Sequence, residues 1–528
     1  MDVSYAAPPR TTGSRSNWLG SGSLWLLGAA MLAAGVWTIR RSLAHNMWLD
    51  ELYTATLIAT PSLGQTVDGA LRGVDGNPPL YLSLCWVLIH LFPISSDALL
   101  RPLNLALLAA TAIMLTRIGR RVADTQSVAV ALALVCAFDD TAVYALLEVR
   151  TYALYLCLVT ATLWATLAVV DRPSMVRSTL LAMIGVLAAL AHSFGGFYVL
   201  ATIGAAGMIS CACRDRVRVL TLVFAALPPA ATTLVWIYIS FATQLAVATP
   251  YGWIPSPHFT ALVEALTGST ELTLLGLLFL AWLAARGQVA PCFSAWRKVC
   301  TQRDRAILIV IPAAYAALTA AGWVGSQLTT PFFVGRYFTP NLLVAALMMI
   351  FAAAVLRRLA PPRMFAPVAA LCCLVSVTSV ATRSSATADL IPCVSSEGRF
   401  LEDGIDPDLP VVIESPHAWL PRNHYAPART ALYPLDWDVV LDHPHRARNN
   451  AMDFHIMDIL KHWAPPGSAL ANDVLPTAAI LAGHPQFLLL DEINRSWLRE
   501  LRAQAPLSAT LLGQSPGCRL WRIDRVRP

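Results

Sequence analysis

The feature that most constrains this chain is the recurrence of apolar runs long enough to cross a bilayer as helices. They lie near Leu24 to Thr38, Leu99 to Thr116, Val128 to Leu147, Tyr152 to Val170, Ser178 to Ala191, Phe197 to Ser210, Val219 to Phe241, Ala261 to Ala285, Ile307 to Val324, Thr339 to Leu356 and Phe365 to Ala381, eleven in all. A spanning segment must satisfy its own backbone hydrogen bonds, so runs of this length are read as transmembrane helices. Only 13% of the 528 residues are charged, against about a quarter in ordinary soluble domains, which excludes a single soluble globule.

Charge is unevenly distributed. Residues 385 to 528 hold 30 of the 70 Asp, Glu, Lys and Arg side chains, and the preceding 384 residues hold 40, of which 25 are basic. The expected organisation is therefore a cytoplasmic tail over residues 1–23, a transmembrane domain over 24–384 with a long loop at 39–98, and a soluble α/β domain over 385–528. In the last part, Val411 to Ile413, Phe487 to Leu490 and Leu520 to Ile523 have strand character, and Arg495 to Ala503 has helical character. The 11 cysteines are scattered, mostly in apolar runs, which excludes a disulfide scaffold. Cys393 and Cys518 alone fall in the C-terminal part; an oxidising compartment would allow them to pair, and sequence leaves their proximity open. No basic patch suits nucleic acid; the net charge of +6 reads as loop bias that orients helices.

That bias decides how to read Leu80 to Phe92, thirteen apolar-rich residues between prolines. As a helix it would rise only about 20 Å, short of the ~30 Å hydrocarbon core. If it does not cross, 18 of the 25 basic residues in the first 384 positions fall in cytoplasmic segments; if it crosses, 16 of those 18 fall outside, against the positive-inside rule. It is therefore read as an interfacial or re-entrant helix, with the N-terminus cytoplasmic and the C-terminal domain on the far side of the membrane. The segments then outside carry the unusual polar residues. The cytoplasmic loops are short and basic, without a Gly-rich phosphate loop.

Asp50 and Glu51 follow the first span, and adjacent carboxylates point in different directions in any regular structure. One can serve as a base while the other binds a metal or the acceptor; alternatively both favour the N-terminus of a short surface helix over Leu52 to Thr60. Glu148, Arg150 and Tyr152 stand at an outer membrane edge, near Asp139 and Asp140, where a charge at membrane depth usually faces a polar cavity. Arg336 and Tyr337 occupy the same kind of position. Arginine suits a phosphate because its planar fork bonds two oxygens, although a snorkelling interfacial residue would look the same. His192, at a span end, is a candidate for a phosphate or a metal. Asn77 and Trp253 lie on outer segments as candidate substrate contacts. Asp436-Trp437-Asp438 is read as a solvated turn, and His443, His445, His455 and His462 lack zinc-site spacing.

Taken together, MWLDELYT (47–54), GNPPLYLSL (76–84), LLRPLNLALLAA (99–110), EVRTYALYL (148–156), AHSFGGFYVL (191–200) and GRYFTP (335–340) resemble the bacterial GT-C glycosyltransferases. The similarity is to the group of protein mannosyltransferases, aminoarabinose transferases and Rhizobium lipopolysaccharide core transferases. HPQFLLL (484–490) and LWRI (520–523) look like the outer domain of that group. The resemblance implies a multi-pass enzyme of the bacterial cytoplasmic membrane that moves a sugar from a polyprenyl-phosphate carrier to an acceptor hydroxyl on a glycan, glycolipid or protein at the periplasmic face. In that group the acid of the first outer loop is the base, and Asp50 matches it with Glu51 beside it. The group usually has a proline between the Arg and the Tyr of the next outer loop, where this chain has Thr151. Metal use varies in the group, so a divalent cation is neither assigned nor excluded.

The residues fit that chemistry without the resemblance. A phosphate-linked sugar already carries a good leaving group, so the protein must supply a base for the hydroxyl and cations for the departing phosphate. Asp50 suits the first task and Arg150 and Arg336 the second, and a single displacement would invert the anomeric centre. The rival expectation is a polytopic transporter or lipid-linked sugar flippase. The lack of visible repeats and the one-sided polar residues weigh against it.

Overall fold

The computed structural model describes residues 46–92, 95–138, 148–240, 254–268, 303–359, 399–426, 429–435, 451–492, 497–515 and 517–525, with isolated positions such as Cys393 between them. The expected spans Leu24 to Thr38 and Phe365 to Ala381, most of Ala261 to Ala285, and the candidates Asp139, Asp140, Trp253, Asp436, His443 and His445 lie outside these residues.

Three short helices open the described chain: α1 (Leu49–Ile58), α2 (Leu63–Leu71) and α3 (Leu80–Leu91). A helical bundle follows, comprising α4 (Ser96–Gly119), α5 (Thr125–Phe138), α6 (Tyr152–Asp171), α7 (Met175–Ala191), α8 (Gly195–Ala212), α9 (Arg216–Ser240), α10 (Phe259–Thr267) and α11 (Arg303–Leu328). A 3-10 turn at Gly335–Phe338 then leads into α12 (Asn341–Leu359). Five of these helices, within α4, α6, α8, α9 and α11, are long and apolar enough to cross a membrane, and this is a membrane protein. α5, α7 and α12 also coincide with expected spans and are apolar, but fall below spanning length over their described residues. α3 is a helix of 12 residues, as short as the prolines around it suggest.

The bundle packs around α6, the most buried of the five long helices. Two of its threonines donate their hydroxyls back to their own helix, Thr160 to the Leu156 carbonyl at 2.7 Å and Thr162 to that of Leu158 at 2.9 Å. Each thus satisfies itself without a partner from another helix. Where α7 turns into α8, Gly195 and Gly196 permit a very close crossing. A Cβ on Gly195 would lie 1.9 Å from the Ala188 carbonyl oxygen, and one on Gly196 would lie 1.7 Å from Thr233 Oγ1. This tight corner fixes the preceding residue, His192.

The C-terminal part contains β1 (Val411–Ile413), α13 (Pro416–Tyr425), β2 (Ala431–Pro434), α14 (Ala451–Trp463), α15 (Ala469–Asp473), β3 (Val474–Leu475), α16 (Thr477–Gly483), β4 (Gln486–Glu492), α17 (Trp497–Gln504), β5 (Leu507–Ser515) and β6 (Cys518–Arg525). The six strands form one sheet in the order β3-β2-β1-β4-β6-β5. The pairs β1 with β2, β2 with β3 and β1 with β4 are parallel, and β6 runs antiparallel to both β4 and β5. Both faces of the central strands are covered, which is why Val411, Val412 and Ile413 form an unbroken apolar run.

The two faces of the sheet join different cores, because successive strand residues point to opposite sides. Val412, Leu489 and Ile523 pack with Trp497 and Leu501 of α17. Val411, Ile413, Leu488 and Leu520 instead share a core with Leu52 and Tyr53 of α1 and Tyr81 of α3. The sheet is therefore seated on the short helices at the mouth of the bundle. Met47 N donates to the Tyr425 hydroxyl at 2.6 Å across this contact, and Trp463 Nε1 donates to the Gln65 carbonyl at 3.2 Å. The α1 segment, for which a short surface helix over Leu52 to Thr60 was the alternative reading, is buried by this seating. Cys393 and Cys518 are joined by a disulfide, with Cα atoms 5.3 Å apart.

Candidate functional site

α1 begins at Leu49, and Glu51 at its third position accepts from the Trp48 amide at 3.0 Å, closing the helix start. Its other oxygen accepts from the Val149 amide at 2.6 Å, and Arg101 Nη2 lies 4.0 Å away. Burial pushes the Glu51 carboxyl upward, opposed by Arg101 and by these two amides. Glu51 therefore joins three segments, and it faces inward.

Asp50 faces the opposite way. Its carboxylate Oδ2 receives Nη2 of Arg336 at 3.0 Å, from the 3-10 turn. Both partners keep about a fifth of their side chains open, 22% for Asp50 and 20% for Arg336, against 4% for both Glu51 and Arg101. The Arg336 guanidinium lies 5.1 Å from the centre of the Trp48 ring, and its Nε is buried without a partner among the described residues.

Arg150 is held differently. Nη1 donates to Asp75 Oδ2 at 3.1 Å and to the Asp50 backbone carbonyl at 3.1 Å, and Nη2 lies 3.5 Å from Asp75 Oδ1. Asp75 is itself fixed, since the backbone amide and side-chain amide of Asn77 both donate to its Oδ1 at 3.0 Å. Asn77 thus braces Asp75, and Arg150 spends its fork on a buried carboxylate. Asn104, on α4, donates to the Glu148 carbonyl and receives the Tyr81 hydroxyl at 3.3 Å. Ser193 closes the ring by donating to the Gly76 carbonyl at 2.9 Å.

Glu148 is buried, with Oε2 unpartnered among the described residues. Burial pushes its carboxyl up to about 8, against the pull of Arg336. His192 is also buried, its ring stacked on Tyr155 at 4.4 Å and 5.7 Å from that of Tyr337. Burial, with Arg150 adding, holds the imidazole down at about 3. His192 is thus held toward its neutral form.

The structure thus gathers Asp50, Glu51, Glu148, Arg150, Tyr152, His192, Arg336, Tyr337 and, through Asp75, Asn77 into one region where α1, the start of α6, the α7–α8 corner and the 3-10 turn meet. Asp75, Arg101 and Asn104 were not among the candidates. Their signal was position: Asp75 immediately precedes GNPP, and Arg101 and Asn104 lie inside LLRPLN. Among the described residues, no group of three or more His, Cys, Asp or Glu side chains is placed to hold a metal ion. A cavity of about 460 Å³ lies on the other side of α1, lined by Leu52, Ala55 and Ala59 together with Leu420, Trp463 and Leu470, and does not include Asp50.

No protein-family model matches the chain, and no curated protein matches its sequence. Among solved structures, it is similar to ArnT from Cupriavidus metallidurans in the apo state, with a TM-score of 0.55 and 13% identity over 95% of this chain and 98% of that one. The same protein bound to undecaprenyl phosphate gives a TM-score of 0.54 and 12% identity, with the same coverage. The chain shares the fold of ArnT. At such low identity the likeness establishes that fold over nearly the whole chain and leaves the chemistry to the side chains described above.

Proposed function

We propose that this protein transfers a sugar from a polyprenyl-phosphate carrier to an acceptor hydroxyl, with Asp50 as the base and Arg336 as the cation for the phosphate. The observation that carries the reading is the Asp50–Arg336 pair: a carboxylate and a guanidinium in contact at 3.0 Å, both partly open, in an otherwise closed polar cluster. The relative bound to undecaprenyl phosphate supports a lipid-linked donor.

In this mechanism the acceptor hydroxyl gives its proton to an oxygen of Asp50 as its own oxygen attacks the anomeric carbon. The bond from that carbon to the phosphate oxygen breaks, and its electron pair stays on the phosphate. Arg336 stabilises the charge that develops there, its unpartnered Nε giving a second donor beside Nη2. One displacement inverts the anomeric centre. Arg150 and Asn77 act through Asp75 as positioning residues, and Glu51 positions both Asp50 and the Glu148 loop.

The site is assigned to the periplasmic face of the bacterial cytoplasmic membrane, with residues 24–384 as the membrane domain and 385–528 as the outer domain. The basic residues of the opposite loops favour this orientation. So does the Cys393–Cys518 disulfide, since such bonds persist in oxidising compartments. The test is transfer of radiolabelled sugar from undecaprenyl-phosphate-linked donors to envelope lipid and protein in vesicles containing the purified protein, compared with Asp50→Asn. Equal transfer by the two proteins would remove Asp50 as the base.

A further inference from the structure

The 3-10 turn that carries Arg336 is followed, after Thr339 and Pro340, by Asn341, the first residue of α12. Asn341 is buried in an apolar bundle, where its amide depends on the protein for hydrogen bonds. Its side chain finds them on three other helices. Nδ2 donates to the Ala265 carbonyl of α10 at 2.6 Å and to Thr319 Oγ1 of α11 at 2.8 Å, and Oδ1 accepts from the Tyr198 hydroxyl of α8 at 3.1 Å. Ala265 lies in the last turn of α10, where carbonyls lack partners within the helix, so Asn341 also closes the end of α10. Four helices therefore meet at one side chain, and that side chain begins the helix into which the turn leads.

Two routes connect this knot to the site. The first is the chain itself: Thr339 Oγ1 donates to the Arg336 carbonyl at 2.5 Å, and Phe338 is buried against α11, where a Cβ on Gly322 would lie 2.8 Å from its ring. The second runs through aromatic rings. Tyr198 meets Tyr155 edge-on at 6.1 Å, Tyr155 stacks on His192 at 4.4 Å, and His192 lies 5.7 Å from Tyr337. Both routes end on the 3-10 turn, so Asn341, Tyr198, Tyr155, His192 and Tyr337 close a loop of contacts with it. The Arg336 side chain leaves this anchored backbone toward Asp50, which a different segment carries. Whether the guanidinium and the carboxylate stand at the right separation thus depends on where α12 begins.

We infer that Asn341 is a positioning residue for use of the donor: by tying α12 to α8, α10 and α11 it fixes the 3-10 turn, and through the turn the guanidinium of Arg336. This role rests on the phosphate contact proposed above for Arg336. A polar residue that only glued helices together would serve as well in the middle of α12. Asn341 instead stands at its first residue, five positions from Arg336. None of its three hydrogen bonds reaches Asp50 or Arg336, so its effect on the reaction passes through the backbone of the turn. Without the knot, the start of α12 and the turn are free to shift together relative to Asp50, and a misplacement of about 1 Å can cost on the order of 100-fold in rate.

The test is a double-mutant cycle with Arg336 on the full-length protein in vesicles, read as kcat/KM for an undecaprenyl-phosphate-linked sugar. Asn341→Leu should lower that quantity about 10-fold when Arg336 is present and less than about 2-fold in the Arg336→Ala background, because a residue that acts through Arg336 has nothing left to position once the guanidinium is gone. Tyr198→Phe and Thr319→Val each remove one bond of the knot and keep the packing, and should lower it about 2- to 10-fold with the same dependence on Arg336. These two variants carry the cycle if Asn341→Leu does not fold. A merely structural role moves the rate equally in both backgrounds, so additive losses would overturn the inference, as would wild-type donor kinetics in Tyr198→Phe and Thr319→Val together. If Arg336→Ala lowers kcat/KM and the losses add, positioning by Asn341 fails while the phosphate contact stands. An Arg336→Ala protein with unchanged donor kinetics would remove both.

Discussion

Arg336 Nη2 lies 3.0 Å from Oδ2 of Asp50, a residue 286 positions earlier in the chain. The contact joins the first helix after the loop start to the turn before α12, and it places the candidate base and the candidate phosphate ligand within one hydrogen bond. A donor phosphate arriving at Arg336 therefore arrives beside Asp50.

Asp50→Asn should reduce transfer by about 100-fold or more, the usual range for loss of a general base. Asparagine keeps the shape and can still accept from Arg336, so thermal stability and binding of undecaprenyl phosphate should change little. Turnover of the purified variant and its melting temperature check the two halves separately.

The two arginines should behave differently. Arg336→Ala should lower kcat/KM for the donor by about 10- to 100-fold, since a charged hydrogen bond contributes roughly 1.5–3 kcal/mol, and Arg336→Lys should recover part of it by keeping the charge without the fork. Arg150→Ala removes the guanidinium that faces the buried Asp75 carboxylate at 3.1 Å and should destabilise the fold by about 3–5 kcal/mol. Melting temperature and donor kinetics on both variants distinguish a ligand from a brace. A wild-type melting temperature for Arg150→Ala would refute the bracing role.

Glu148 gives a pH dependence whose sign is fixed. Burial pushes its carboxyl up to about 8 in the folded protein, above its ordinary value of 4.5, so the native state holds a proton that the unfolded chain releases above about pH 4.5. Native stability is then favoured at low pH and lost as pH rises through about 8. The melting temperature should fall between pH 6 and pH 9 in the wild type and fall less in Glu148→Gln, which is neutral throughout. The effect should be on the order of a few kcal/mol.

The disulfide closes a loop between residues 125 positions apart. By the chain-entropy argument a cross-link of that length stabilises by roughly 4–5 kcal/mol. Cys518→Ser, or mild reductant, should lower the unfolding temperature of the sheet region, and limited proteolysis should cut first there while the bundle stays intact. Unchanged proteolysis under reduction would mean that the seating on α1 and α3 holds the sheet by itself.

Much of the architecture could be read along the chain because it depends on local pattern. Apolar runs marked the long helices, prolines bounded α3, and short β-branched and leucine-rich runs marked β1, β4 and β6. Asp50, Arg150 and Arg336 stood out because charge beside an apolar run needs a reason. The pairing of these charges was not visible. Asp75 takes Arg150 from 75 residues away, and nothing in either local sequence specifies that partner. The burial of His192 and its stacking on Tyr155 were not visible either.

The sequence by itself determined that this is a multi-helix membrane chain with a terminal α/β sheet, because hydrophobic length and strand periodicity are properties of consecutive residues. It also determined which side chains were chemically capable. Only the tertiary structure decided which carboxylate faces the open site and which is spent inside it, since Asp50 and Glu51 are neighbours whose directions are fixed by contacts with Arg336 and with the Val149 amide. Those contacts bridge distant segments, and their energies depend on burial that no local stretch encodes.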